Sequence, residues 1–407
     1  MSEPAHDYAW PAYLRWLFTT CLVTVAVCGL LNVLVDPLGV FGTPRIAGIN
    51  ALKPYLDHHR QLSRYVAARR ICAPIGIFGN SRAEIGFDPL NPHWAALGGT
   101  AFNHAIPGSS AGSAYRQLLW LEAAGCMPKT IVLGVEFFDF LGGSPASPLP
   151  TLSDTPPPAV DGRFLAESVF SVTGLREALT TPLIQRDEFA ATITDHGFNP
   201  LHNYRQEVER HGHYALFRQR AEENVRNWSG KLWRLRPDDG SPSSDETAVA
   251  AILERAVANG SRVHLVIYPY HAEIRLLLER LGMGALFTDW KRLIFHLAAD
   301  QDKRGGNIAV WDFSGISDET LEAIPAPGDR HTHLTHYWEG GHFKKALGDR
   351  VIARISGQDN GFGRLLEAAT LEDWLAPDRA QVTALLARAS PLSAEVERLA
   401  AGFGRNR

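Results

Sequence analysis

A serine, a histidine and a carboxylate stand where they could carry out acyl chemistry. Ser81 lies in the stretch 75–88, IGIFGNSRAEIGFD, where a short apolar run ends at Gly79 and Asn80-Ser81-Arg82 follows. That pattern predicts a buried strand running into a tight turn, with a hydroxyl at the strand's carboxyl end. Gly79 accepts a backbone conformation that a Cβ resists, so Ser81 can project from the turn. A serine hydroxyl attacks an acyl carbonyl only when a base takes its proton. The candidate base is His342, in HYWEGGHFKKALGDRVI, with Glu339 three residues before it. Two intervening glycines permit a tight loop in which the carboxylate accepts from one ring nitrogen while the other faces outward. Such an acid orients the ring and stabilises the imidazolium. Asp329 and Asp312 are rival partners for that imidazole. Arg82, beside the serine, either pairs with a carboxylate or holds an anionic substrate.

The elements that must position these groups alternate. Ile75 opens a strand. After Phe102-Asn103-His104-Ala105-Ile106-Pro107-Gly108 comes a Ser/Gly/Ala-rich helix over about 110–124, and Thr130–Val135 (TIVLGV) is a second buried strand. Two apolar strands around a helix form a βαβ unit, which implies a parallel sheet covered on both faces. A Pro/Ser/Gly-rich loop occupies 142–158, and helical, charge-rich residues 163–227 read as an insertion capping the site. The rhythm resumes with a helix over 246–258, a strand over 263–268, helices over 271–281 and 290–299, a strand over 307–313 and a helix over 343–355. The expected fold is α/β, a three-layer α/β/α sandwich with a mainly parallel sheet. Residues 1–40 form the N-terminus and anchor. Residues 41–360 form the α/β domain with its insertion at about 142–245, and 361–407 a surface helical tail.

The anchor is Leu17–Val35, LFTTCLVTVAVCGLLNVLV, which contains no charged residue. About 20 helical residues cross a hydrocarbon core of roughly 30 Å. Arg15 before the run and Asp36 after it favour a cytoplasmic N-terminus. The expected location is therefore a bacterial inner membrane, single-pass, with the main domain in the periplasm, where a Cys72–Cys126 disulfide could form. The 407 residues carry 45% apolar and 21% charged side chains and a formal charge of −4, with no basic footprint, so nucleic acid is not an expected partner. His331, His333 and His336 cluster near His342, but their spacing matches no zinc site, so no metal and no cofactor are expected. Tyr270, Trp338 and Phe137 would suit sugar rings, although aromatic side chains more often pack cores.

In its order of blocks the chain resembles the SGNH (GDSL-type) hydrolase superfamily, in the branch of membrane-anchored bacterial proteins related to alginate-type polysaccharide O-acetylation proteins. Gly79-Asn80-Ser81-Arg82 is similar to the first block, with Asn80 where the superfamily often has Asp. Asn103 to Gly108 resembles the second block, whose glycine amide helps bind an oxyanion. Glu339-x-x-His342 resembles the final Asp-x-x-His block, and the residues after it resemble the ending of the envelope branch. The resemblance spans about 75–355. It implies Ser81 as nucleophile, His342 as base, Glu339 as its orienting acid, and the Ser81 and Gly108 amides as oxyanion donors, with Asn103 nearby. It further implies acetyl transfer to, or ester hydrolysis on, an envelope or exported polysaccharide. The partners would be a glycan, an acyl donor and a membrane acyltransferase. One departure stands out: the third block's asparagine is Glu136 here. A carboxylate there repels an oxyanion unless protonated or turned away, and a lost donor costs about 10²–10³ in rate. Glu136 therefore keeps open a second expectation, a degenerate site in a glycan-binding or assembly component.

Overall fold

Apolar runs bounded by Gly, Pro and polar residues form the sheet of this protein in a computed structural model that describes residues 10–142 and 148–404. The chain divides into two compact units, one of residues up to 67 with 158–193, the other of 68–157 with the residues from 194 onward. This grouping differs from the expected one, because residues 158–193 of the insertion belong with the N-terminal segment. Of the expected loop over 142–158, residues 143–147 lie outside those described.

In the second unit, β1 (Ile75–Phe78), β2 (Ala101–Asn103), β3 (Thr130–Val135), β4 (Arg262–Ile267) and β5 (Asn307–Asp312) pair in parallel, and β8 (Arg364–Leu365) adds an antiparallel edge, in the order β2-β1-β3-β4-β5-β8. Every residue of β1 and β3, and all of β4 except Arg262, is buried. Both sheet faces are therefore covered, as continuous apolar runs require in a parallel sheet. Of the helices, α8 (Ser244–Ala258) packs on β4 and α10 (Gly284–Asp302) on β5, while α4 (Ala111–Ala123) packs on α8, α9 (Ala272–Arg280) on α10, and α11 (Lys345–Ile355) on the short helix after β1. The chain leaves β1 toward β2 on one side and β3 on the other. The direction of winding reverses there, which opens a crevice at the carboxyl ends of β1 and β3.

Most of the tail from residue 361 is exposed, but one face of it is fastened to the domain. In α12 (Leu371–Ala387), Asp378 bonds Lys291 Nζ at 2.8 Å and Arg275 at 2.9 Å, while Lys291 also bonds Asp312 at 2.7 Å. Trp374 donates to Asp312 at 2.8 Å. Val382 of α12 and Val396 and Leu399 of α13 (Pro391–Gly404) pack with Leu276, Leu277, Ala221 and Val225. The polar composition concealed this because the buried charges are paired with one another. Cys72 and Cys126 are disulfide-bonded, tying the chain before β1 to the chain before β3.

In the first unit, α1 (Trp10–Val35) is long and apolar enough to cross a membrane. Only Gly29, Asn32 and Val35 of it are buried, so it is not a core helix. α5 (Gly162–Val169) and α6 (Val172–Thr180) pack near its end. α2 (Arg60–Ile71) leads on to β1.

Candidate active site

The turn after β1 is built as its residues require. Gly79 has φ +144°, and an added Cβ would collide with the Tyr268 hydroxyl, so the position demands glycine on two counts. Asn80 caps the short helix α3 (Ser81–Gly86), its side chain accepting from the Arg82 amide at 3.0 Å. Asparagine is a favoured residue at such a cap, so that role was readable from residue type. Ser81 is thereby held at the first helical position, with its hydroxyl at the crevice.

His342 arrives from the far end of the chain. β6 (Tyr337–Glu339) and β7 (His342–Phe343) form a small antiparallel hairpin, with Glu339 opposite His342 and the two glycines as its turn. His342 Nε2 lies 2.8 Å from Ser81 Oγ, and its Nδ1 bonds Glu339 Oε1. The other Glu339 oxygen accepts from the Gly341 amide at 2.7 Å. A hydroxyl, an imidazole and a carboxylate thus form one chain of hydrogen bonds. Glu339 is 1% exposed. Burial alone would raise its pKa, but His342, the Gly341 amide and Arg220 more than offset this and hold it at about 2. Ionised at neutral pH, it fixes the tautomer that leaves Nε2 free to accept from the serine. The rivals are engaged elsewhere: Asp312 with Lys291, Asp329 with Thr332 and the His331 amide.

Arg82 ties three elements together. Its guanidinium pairs with Glu136, Nε donates to the Gly341 carbonyl at 2.6 Å, and it lies 5.1 Å from the Tyr270 ring centre. It therefore braces the hairpin carrying His342 against the turn carrying Ser81. Of the two roles expected for it, the structure places it in the pairing one. Glu136 is accordingly turned toward Arg82, and it also accepts from the Tyr270 hydroxyl at 3.0 Å. Nearby Asp139 is pushed up to about 8 by burial, with Glu136 and Asp245 adding to it against Arg82. Negative charge at this strand end is thus countered by the pairing of Glu136 with Arg82, and burial disfavours a further charge at Asp139.

Asn103 does not serve as an oxyanion donor. It is fully buried, its side chain donating to the Ala83 and Phe87 carbonyls at 2.8 and 2.9 Å and accepting from the Ala105 amide at 3.0 Å. It clamps the end of α3, a task set by tertiary packing and invisible in the sequence. Gly108 has φ +67° and is exposed on a turn pinned to the residue after β1, where Gly79 O accepts from the Ile106 amide at 3.0 Å. Among the described residues, neither the Ser81 nor the Gly108 amide has an internal acceptor.

Two of the aromatic expectations fail on burial. Phe137 is fully buried against Phe287 and Trp290, and Tyr270 is 3% exposed. Trp338 is partly exposed, with Lys344 Nζ 4.6 Å from its ring centre. From the insertion, α7 (His202–Trp228) buttresses the hairpin: Arg220 lies 3.9 Å from Glu339, and His213 Nδ1 bonds the Trp338 carbonyl at 3.0 Å. No local signal marks these residues, since α7 precedes the hairpin by more than a hundred positions. Comparison with models of known families, with curated proteins and with solved structures finds nothing that matches this chain.

Proposed function

We propose that this protein is a membrane-anchored, serine-dependent O-acyltransferase or esterase, of SGNH-like α/β/α architecture, acting on a cell-envelope or exported polysaccharide. The observation that carries the proposal is the hydrogen-bonded series Ser81–His342–Glu339 at a sheet crevice. Ser81 Oγ attacks the acyl carbonyl as its proton passes to His342 Nε2, and Glu339 stabilises the resulting imidazolium. The Ser81 and Gly108 amides, both without an acceptor among the described residues, are the candidate donors to the oxyanion. His342 then returns the proton to the leaving group. A sugar hydroxyl, or water in the esterase version, then gives up a proton to His342 as it attacks the acyl-enzyme, and His342 passes that proton to Ser81 Oγ as the acyl–Oγ bond breaks.

The apolar helix α1 supports single-pass anchoring in the inner membrane, and the Cys72–Cys126 bond supports a periplasmic main domain, since disulfides persist in oxidising compartments. The substrates on this reading are a glycan and an acyl donor, the latter reached through a membrane acyltransferase partner. One observation favours a second reading, a glycan-binding or assembly component. Glu136 occupies the place of an amide donor and is fully committed to Arg82 and Tyr270. A single experiment separates the two. The full-length protein in detergent is incubated with p-nitrophenyl acetate and with a fluorophosphonate probe. Turnover or labelling that disappears in Ser81→Ala and His342→Ala supports the enzyme. An inert protein that retains oligosaccharide supports the binding role and refutes acyl transfer.

A further inference from the structure

Beyond its single span, the first unit presents an apolar collar around the exit of α1. Asn32 is an amide inside the apolar helix and 2% exposed, and its Nδ2 donates to the carbonyls of Val169 at 2.8 Å and Ser171 at 3.0 Å. Val169 also lies over Gly29, where an added Cβ would meet its side chain at 2.8 Å. The corner between α5 and α6 is therefore held against Gly29 and Asn32. Those residues stand six and three positions before the helix end at Val35, roughly 9 and 5 Å along the axis at 1.5 Å per residue. A second turn is held lower on the same helix, the Asn50 side chain donating to the Leu34 and Val35 carbonyls at 3.3 Å.

Both turns send large apolar side chains outward. Phe170 and Val172 at the corner are 59% and 80% exposed, Leu179 and Leu183 continue the face of Val172, and Ile46 and Ile49 project from the other turn. Backbone that is not helical is tolerated at membrane depth only when its polar groups find partners. The Asn32 amide supplies two of them, which also explains a polar residue within the span.

We propose that this collar is a second membrane-contacting surface, in which the α5–α6 corner and the 46–50 turn seat in the hydrocarbon and headgroup boundary of the leaflet that α1 leaves. The occupant is lipid, because the apolar face is continuous with a helix whose own surface faces outward along nearly its whole length. Arg176, exposed four residues after Val172, reaches the headgroup phosphates as its stem lies along the apolar face. The inference rests on reading α1 as a span, and the test separates the two.

Full-length protein carrying Cys21→Ser and Cys28→Ser receives one new thiol, Phe170→Cys or Ile49→Cys, labelled with an environment-sensitive fluorophore. It is reconstituted in phosphatidylcholine vesicles with or without doxyl-labelled lipid. A companion sample retains Cys21 as the sole free thiol and reports on the span. The expected result is loss of most emission at positions 170 and 49 with doxyl lipid and none with aqueous iodide, alongside quenching at Cys21. Iodide access at both collar positions with Cys21 quenched would overturn the collar and leave the span standing. Shielding from both quenchers would mean a protein partner or second copy covers the face, and would also overturn it. An unquenched Cys21 would refute the span and the collar together.

Discussion

Replacing Glu339 by Gln tests the carboxylate's role most directly. The change keeps shape but removes the charge facing His342 and offers an amide that competes for the ring's tautomer. Two unit charges ~4 Å apart interact by about 4 kcal/mol at an effective dielectric of 20, so losing this one at the moment the imidazolium forms costs roughly 10³ in rate. Wrong-tautomer populations push the loss toward the ~10⁴ found for the equivalent change in a serine protease triad. The assay is steady-state hydrolysis of p-nitrophenyl acetate together with the fluorophosphonate labelling rate. The expected outcome is a fall in kcat with KM little changed. The same residue makes a stability prediction. Its pKa is about 2 in the fold against an ordinary 4.5, so the group stabilises the fold above about pH 4.5. That contribution, ~3 kcal/mol by linkage, is lost as pH falls through the folded value, whereas the Gln variant has no such carboxyl to titrate. A kcat within about tenfold of wild type, with Ser81→Ala inactive, would refute the claim that Glu339 works through His342.

Four further outcomes follow from the same geometry. Gly79→Ala should lower unfolding stability in urea by about 3 kcal/mol through backbone strain and the clash with Tyr268, and adding Tyr268→Phe should recover only the steric part. Arg82→Ala should destabilise by about 3–5 kcal/mol because Glu136 is left buried and unpaired, while Arg82→Met with Glu136→Leu should recover much of that in thermal melts. Asn103→Ala should cost about 1–3 kcal/mol for each carbonyl it orphans, and the folded fraction should keep its kcat, since the side chain holds α3 and not the substrate. Reducing Cys72–Cys126, which lie 54 positions apart, should cost up to about 4 kcal/mol of stability, measured in denaturant with and without dithiothreitol.

What could be read from the chain was whatever is local. Runs of strand length at 75–78, 130–135, 263–268 and 307–313, the glycine ahead of Ser81, the Gly-Gly turn between Glu339 and His342 and the apolar N-terminal helix each depend on neighbouring residues. The sequence could nominate Ser81, His342 and Glu339, but Asp312 and Asp329 competed with Glu339 until the hairpin register set Glu339 opposite His342. Only the tertiary structure decided that Asn103 clamps α3, that Arg82 is spent on Glu136 and Gly341, that α7 backs the hairpin, and that Asp378 fastens the tail to Lys291 and Arg275. Each of those assignments joins residues that chain order keeps apart. Propensity and periodicity report on a few turns of backbone. The partner of a buried charge or amide is set by which elements the sheet brings side by side.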